Sequence, residues 1–406
     1  MTQSLQTVHN EMMKTADAKT IEQEVRAVES RKGVNHSLQQ MRAWLDEYLP
    51  EHHKLKSVQI AGTNGKGSVC RWLEMMAQNR QLKPAVFTSP HLISHFERMR
   101  VDGKDIAPEE WHEIYSRWKD FFERENFTMF EIDFWMAVDW FLQKGTGLAI
   151  METGLGGERD AVTALDHQVK AITNIGLDHT AWLGDTREKI AETKGRIARK
   201  NVPLLTAERD PSCLRIIGQC AREAGTWLEQ IHPDFHDWPD HLPLYQRENL
   251  ALAMGTARAL RMKIFPHEYQ RMLQEFSWTG RFTVLRTDPL MVVDGAHNID
   301  GIRALVSSCR NRTFEKIYFS VLADKNGRAM IRELQTVCRE IVLVDFDNYR
   351  MADLQQLAWE TGLETVSFDQ MMEELKDIKK NTLVCGSLYF AGELLSRLQE
   401  REKEER

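Results

Sequence analysis

Sulfur chemistry is sparse in this chain. Its 406 residues hold six cysteines, Cys70, Cys213, Cys220, Cys309, Cys338 and Cys385, with no Cys-x-x-Cys pair and no zinc-type spacing. That excludes a disulfide framework and a zinc ribbon, and sets the expectation of reduced thiols in a cytoplasmic protein. No apolar run approaches the roughly 20 residues that a membrane helix needs. The first residues, Met-Thr-Gln-Ser-Leu-Gln-Thr-Val-His, lack the apolar core of a signal peptide. No membrane partner is expected. A long basic run is also missing: the formal net charge is −7 and the pI about 6.1, so nucleic acid is not an expected partner. The one basic cluster, Arg196-Ile-Ala-Arg-Lys200, reads as a solvated helix face. Internal repeats and low-complexity linkers are absent too.

What is present is alternation. A lead-in over residues 3–48 has apolar positions at helical spacing (Met12, Met13, Ala16, then Leu38, Met41, Leu45, Tyr48) and stops at Pro50. Short apolar runs at 57–60, 85–87, 148–151, 169–175 and 203–205 then alternate with helical stretches at 111–122, 134–142 and 187–198. This is the pattern of a doubly wound, mostly parallel sheet in an α/β fold. A connection rich in Pro, Asp and His spans 230–243, and helical stretches follow at 249–260 and 267–276. After Ser277-Trp-Thr-Gly-Arg281 a second alternating series begins, with strand-like runs at 290–293, 316–321, 340–344 and 382–385. The expected organisation is an N-terminal P-loop-type domain over 1–280 and a smaller Rossmann-like α/β domain over 281–406. The charged tail, 399–406, is expected to fray.

Residues 61–69 read Ala-Gly-Thr-Asn-Gly-Lys-Gly-Ser-Val, between the apolar run of Val58 and Ile60 and a helical stretch. A strand, a glycine-rich turn and a helix with lysine at the bend make a phosphate cradle, because backbone N–H groups converge where the helix dipole favours anions. Lys66 can reach the outer phosphates, and the Ser68 or Thr63 hydroxyl can ligate Mg²⁺. The loop is a variant: Gly62 lies closer to Gly65 than in G-x-x-x-x-G-K-[ST], and Gly67 separates Lys66 from Ser68. A bare Gly-x-x-Gly-Lys can be an ordinary tight turn; the flanking strand and helix favour ATP. Two further features are ambiguous in isolation. Glu152 ends an apolar strand beside glycines, where a carboxylate suits either Mg²⁺ at a nucleotide crevice or a plain turn cap. His179 would by default be a solvated or core histidine, and Lys194 an exposed lysine.

Taken in order, the segments carry more. Gly62-Thr-Asn-Gly-Lys-Gly-Ser68, Phe87-Thr-Ser-Pro-His-Leu92, Glu97-Arg-Met-Arg-Val-Asp-Gly103 and Glu152-Thr-Gly-Leu-Gly-Gly157 come first. Thr173-Asn-Ile-Gly-Leu-Asp-His179 with its continuation to Asp185, Asp294-Gly-Ala-His-Asn298, Val321-Leu-Ala-Asp-Lys325 and Gly386-Ser-Leu-Tyr-Phe390 follow. From about Leu38 to Leu395 this series resembles the folylpolyglutamate synthase/dihydrofolate synthase family of the Mur ligase superfamily. The resemblance implies an ATP-dependent ligase that adds L-glutamate to a folate or to dihydropteroate through an acyl phosphate. It implies that Gly62, Thr63, Asn64, Gly65, Lys66, Gly67 and Ser68 hold the ATP phosphates and that Asn249 lies near the adenine. Arg281 would meet the γ-phosphate, and Asp294 and His297 would reach over the nucleotide. Lys66, Lys194, Arg281 and His297 would be the catalytic set. Two magnesium positions would be shared among Ser68, Ser89, Glu152, His179 and Lys194, the last carbamylated by CO₂. The chain is expected to act as a monomer.

Three departures bear on the acceptor. The family's Gly-Gly-Arg-Leu-Asp-Ala-Thr-Asn becomes Gly156-Gly-Glu-Arg-Asp-Ala-Val-Thr163, which puts an acid at 158 and moves the arginine to 159. The lead-in has Asn35-His-Ser-Leu-Gln39 in place of a Leu-Gly-Leu pattern, and the 230–243 connection is short, so a strand pair is expected to be missing there. These set the expectation of an altered or narrowed acceptor range. The competing readings are a paralogue acting on a non-folate carboxylate and a catalytically weak nucleotide-binding regulator. A generic P-loop kinase would have no use for the Asp294-Gly-Ala-His-Asn298 segment.

Overall fold

Two sheets carry the apolar runs. The computed structural model describes residues 17–404 except His236, Arg310 and Asn311. The helical reading of Met12, Met13 and Ala16 lies outside the described residues. The first sheet comprises β1 (Ser57–Ala61), β2 (Pro84–Phe87), β3 (Met99–Val101), β4 (Lys104–Asp105), β5 (Leu148–Glu152), β6 (Val169–Ile172), β7 (Leu204–Thr206) and β8 (Leu228–Gln230). Its order is β4-β3-β2-β5-β1-β6-β7-β8. The six strands from β2 to β8 run parallel, while β3 and β4 extend one edge as an antiparallel pair. The second sheet comprises β9 (Thr283–Thr287), β10 (Leu290–Val293), β11 (Lys316–Phe319), β12 (Glu340–Asp345), β13 (Glu364–Ser367) and β14 (Thr382–Cys385), in the order β13-β12-β11-β14-β10-β9. Only β9 is antiparallel to its neighbour.

The central strands β1, β5 and β6 are buried along their whole length, as expected of parallel strands covered on both faces. One face packs the helix Lys66–Asn79, which buries Val69, Trp72, Leu73 and Met76, against the helix Gln246–Ala259. The other carries the helices Pro108–Arg124 and Met129–Gln143. The second of these starts on a capping box in which Thr128 and Glu131 satisfy each other's backbone N–H groups. The lead-in forms two helices, Ala18–Glu29 and Leu38–Tyr48. Their Ile21, Val28, Met41, Trp44 and Leu45 join Phe121, Phe122, Phe127 and Trp135 in one aromatic-rich core.

Several elements differ from the sequence expectation. The strands β3, β4, β8, β9 and β13 and the helices Pro211–Glu223 and Phe368–Glu374 were not foreseen. The last helix runs from Leu388 to Glu404, anchored by Phe390, Ala391, Leu394 and Leu395, so residues 399–404 of the charged tail continue a helix, and Glu405 and Arg406 lie outside the described residues. All six cysteines are buried and unpaired. Among the described residues no helix is long and apolar enough to cross a membrane.

Candidate active site

In an open α/β sheet, ligands bind beyond the carboxyl ends of the strands where the strand order reverses. Here that point is β1, flanked by β5 and β6, because the chain leaves β1 toward β2 and leaves β6 toward β7. The loop after β1 needs its glycines. Gly62 has φ +139°, and a Cβ there would lie 1.8 Å from Thr173 Oγ1; Gly65 has φ +85°, and its Cβ would lie 2.2 Å from Asn249 Oδ1. The loop is stapled to the segment after β6. Thr63 N–H donates to Asn174 O (2.9 Å), Asn64 N–H to Asn174 Oδ1 (3.0 Å) and Gly176 N–H to Thr63 Oγ1 (2.9 Å).

Lys66 opens the helix, with Nζ 3.3 Å from Thr63 O and 3.8 Å from Glu152 Oε1. Glu152 ends β5 and is buried, yet its closest hydrogen-bond donor is the Ser89 N–H at 3.4 Å. Burial pushes its carboxyl pKa above the ordinary range, with Lys66 opposing. Ser68 is buried and accepts from Gln246 Nε2 at 3.1 Å. Lys194 is not the exposed lysine of the default reading. It is buried, donates to Gly62 O at 2.9 Å, and is brought down to a pKa of about 7 by burial and by the Lys66 charge. His179 sits in the left-handed region at φ +51° and is lowered to about 4, chiefly by burial.

The second sheet supplies the opposite wall. Asp294 follows β10 and is fully engaged: Tyr245 OH (2.7 Å) and Phe282 N–H (2.8 Å) donate to Oδ2, and Ala296 N–H (2.8 Å) to Oδ1. Burial raises its pKa against those bonds. Arg281 Nη1 donates to Gly280 O, and His297 Nε2 lies 3.4 Å from Asp178 Oδ2. Together these walls enclose a cavity of about 760 Å³. Every residue to which the resemblance gave a phosphate, adenine, metal or catalytic role lines it: residues 62–68, Ser89, Glu152, His179, Lys194, Asn249, Arg281, Asp294 and His297.

Two family models match, the Mur ligase middle domain over residues 60–223 and the Mur ligase glutamate ligase domain over residues 280–387. The dihydrofolate synthase/folylpolyglutamate synthase of Escherichia coli is 30% identical over 374 residues, which cover 84% of this chain and 86% of that protein. The chain belongs to this family. The Bacillus subtilis dihydrofolate synthase/folylpolyglutamate synthase is 28% identical over 416 residues, 90% of this chain and 96% of its own. A crystal structure of a bifunctional folylpolyglutamate synthase/dihydrofolate synthase with Mn, AMPPNP and L-glutamate bound superposes with a TM-score of 0.84. It is 26% identical and covers 93% of this chain and 98% of its own.

Against this family background, one departure changes meaning. Glu158 and Arg159 were expected to shape the acceptor pocket, but both are exposed and neither lines the cavity. Glu158 faces Arg196, 3.9 Å from its Nε. The buried member of that segment is Asp160, which accepts from Leu155 N–H (2.9 Å) and Val162 N–H (3.0 Å) and is pushed by burial to a pKa of about 7. The sequence reading also gave no role to Asp178 or Lys325. Asp178 is buried and pairs with the Lys325 ammonium from the loop after β11. Burial opposes its ionisation, but His297, His179 and Lys325 outweigh it and hold the carboxyl far below the usual range. Both residues stood inside recognised segments; only their separation of 147 positions hid the pairing.

Proposed function

We propose that this chain uses ATP to join L-glutamate to the carboxylate of a folate, with the cavity between the two sheets as the reaction chamber. The observation that carries the reading is Glu152: a buried carboxylate with no close partner, set beside a phosphate loop whose lysine lies 3.8 Å away. A carboxylate is a poor acceptor for an amine. Transfer of the γ-phosphoryl group to it makes an acyl phosphate, which the glutamate amine attacks with loss of phosphate. Lys66 and Arg281 supply positive charge where it spreads over the transferred oxygens, and the backbone N–H groups of the glycine loop cradle the phosphates behind it. Asn249, packed against Gly65, would border the adenine.

The donor set fits divalent magnesium. Ser68, Ser89 and Glu152 offer hard oxygen atoms, and the His179 imidazole is neutral at physiological pH, so its lone pair is available. Magnesium bound there would add charge stabilisation at the phosphates. Lys194 supports a carbamate by the same logic: its amine titrates near 7, and a neutral amine adds to CO₂ with loss of one proton to give an N-carboxylate. That converts a buried cation into an oxygen ligand. We place the protein in the cytoplasm, in keeping with its six unpaired thiols, and as a monomer, because one chain supplies both walls of the cavity.

The exposed positions of Glu158 and Arg159, outside the cavity, take away one of the three grounds for an altered acceptor range and leave the 35–39 lead-in and the short 230–243 connection. Release of ADP and formation of a glutamyl amide, measured with dihydropteroate, tetrahydrofolate and a non-folate aryl carboxylate in parallel, tests the reading. Turnover with either pterin acceptor is the expected result. Turnover with the non-folate acid alone would make the chain a paralogue of different specificity, and ATP binding without any amide would make it a nucleotide-dependent regulator.

A further inference from the structure

Beside the phosphate loop, the polar contacts that cross between the two sheets meet at two side chains of the first, Asp178 and Asn64. Asp178, on the segment after β6, receives the Lys325 ammonium and the Asn298 amide (Nδ2 to Oδ2, 3.0 Å), and His297 Nε2 lies 3.4 Å from the same oxygen. Asn64, in the phosphate loop, exchanges a reciprocal amide pair with Asn298: each Nδ2 donates to the other's Oδ1 at 3.0 Å. Asn298 Oδ1 also accepts Gly301 N–H at 2.8 Å and so caps the helix Ile299–Ser308. One amide therefore joins the phosphate loop, the Asp178 carboxylate and the start of a helix of the second sheet.

We propose that Lys325 and Asn298 are positioning residues that register the second sheet on Asp178 and Asn64, holding Arg281 and His297 over the phosphates and keeping water from the acyl phosphate. Neither residue needs to touch the reacting atoms. The proposal rests on the ligase reading above. Its physical basis is the cost of the arrangement. The side chains of Lys325 and Asp178 are only 7% and 5% exposed, and a buried ion pair offsets its desolvation only with good geometry and further hydrogen bonds. Here Asn298 supplies such a bond from a residue that also contacts the phosphate loop. If the pair served packing alone, an apolar pair would serve as well. An ionic pair lapses once the sheets separate, because each charge is then rehydrated, which suits a contact that must form and release in each cycle. His297 lies one residue from Asn298 and Arg281 packs against Gly295, so a slip at Asn298 moves the groups that face the phosphates.

Phosphate released and glutamyl amide formed, measured in the same reaction by the full-length chain with ATP, Mg²⁺, L-glutamate and the accepted folate, test this. The wild type is expected to release about one phosphate per amide. Lys325→Met is expected to lose roughly tenfold or more in kcat and to release more than about two phosphates per amide, because a poorly registered second sheet admits water to the acyl phosphate. Lys325→Arg, which keeps the charge, is expected to restore much of the coupling. Should Lys325→Met fail to fold, the double variant Asp178→Asn/Lys325→Met removes both charges and is expected to show the same uncoupling. Wild-type turnover and one phosphate per amide in a folded Lys325→Met or in the double variant would overturn the proposal while leaving the ligase reading intact. A wild type that makes no amide would overturn both.

Discussion

Glu152 and Asp294 hold corresponding places in the two sheets. Each stands at the carboxyl end of a parallel strand, each is buried, and in each burial drives the carboxyl pKa upward. Their surroundings differ sharply. Asp294 takes three hydrogen bonds of 2.7–2.8 Å from Tyr245, Phe282 and Ala296, and so fixes the loop that carries His297. Glu152 has one backbone donor at 3.4 Å and an ammonium at 3.8 Å. A buried carboxylate left so lightly bonded costs stability unless a ligand completes it. The same residue class at the same topological position is thus architecture in one sheet and a ligand group in the other, and the difference lies in the partners.

The comparison breaks most visibly in activity. Glu152→Gln and Lys66→Ala are each expected to lower kcat by about 10²-fold or more, as removal of one charge-stabilising group does. Their melting temperatures should stay at or slightly above wild type, because neither removes a well-made internal bond. Asp294→Ala should do the reverse in kind. It strands three donors and is expected to lower unfolding free energy by about 3 kcal/mol in urea titration. A stable Asp294→Ala beside a destabilised Glu152→Gln would invert the contrast.

Asp133 sharpens it from outside the cavity. It is a buried acid paired with two cations, 2.8 Å from His95 Nε2 and 3.2 Å from Arg98 Nη1. Burial alone would lower the His95 pKa, but Asp133 and Glu29 raise it to about 9. A raised folded-state pKa gives stability that is complete below about 6.5 and lost as pH rises through about 9. Wild-type unfolding free energy should therefore fall across that window, and His95→Gln should flatten the fall. Lys194 is the opposite case, a buried base whose acidic neighbours Asp178 and Asp160 do not offset its burial and the Lys66 charge. With its pKa near 7, carbamate formation is expected to rise several-fold from pH 6 to pH 8 in ¹³C-bicarbonate, read as a protected carbonyl resonance that Lys194→Arg abolishes. The smallest effect belongs to Glu158→Arg. Exposed and outside the cavity, it should alter kcat/KM for any acceptor by less than about twofold.

How much of this was legible follows from where the information sits. The phosphate loop was readable because strand, glycines and lysine are contiguous, and β5, β10 and β14 because these buried parallel strands carry unbroken apolar runs of three or four residues. The strands β4, β8 and β9 were not: both residues of β4 are exposed, β8 is half-buried, and Val284, Leu285 and Arg286 of β9 face solvent. Edge strands have no buried face to impose a pattern. Within the site, the residues inside recognised segments reached one cavity, but contacts across the gap between the sheets, such as Asp178 with Lys325, leave no local trace. Glu158 and Arg159 were not placed by their position in the chain, for a different reason. Their segment forms turns and a short 3-10 helix, Ala161–Ala164, which leave Glu158 and Arg159 exposed and Asp160 buried.

The central claim is that the acceptor carboxylate is activated by phosphoryl transfer in this cavity before the amine arrives. Acceptor labelled with ¹⁸O in the reacting carboxylate, incubated with ATP, Mg²⁺ and L-glutamate, tests it directly, with the released phosphate read by mass spectrometry. The account predicts one ¹⁸O in each phosphate, because the acceptor oxygen that attacks the γ-phosphorus leaves with it when the amine displaces phosphate. Amide formation with unlabelled phosphate would contradict it.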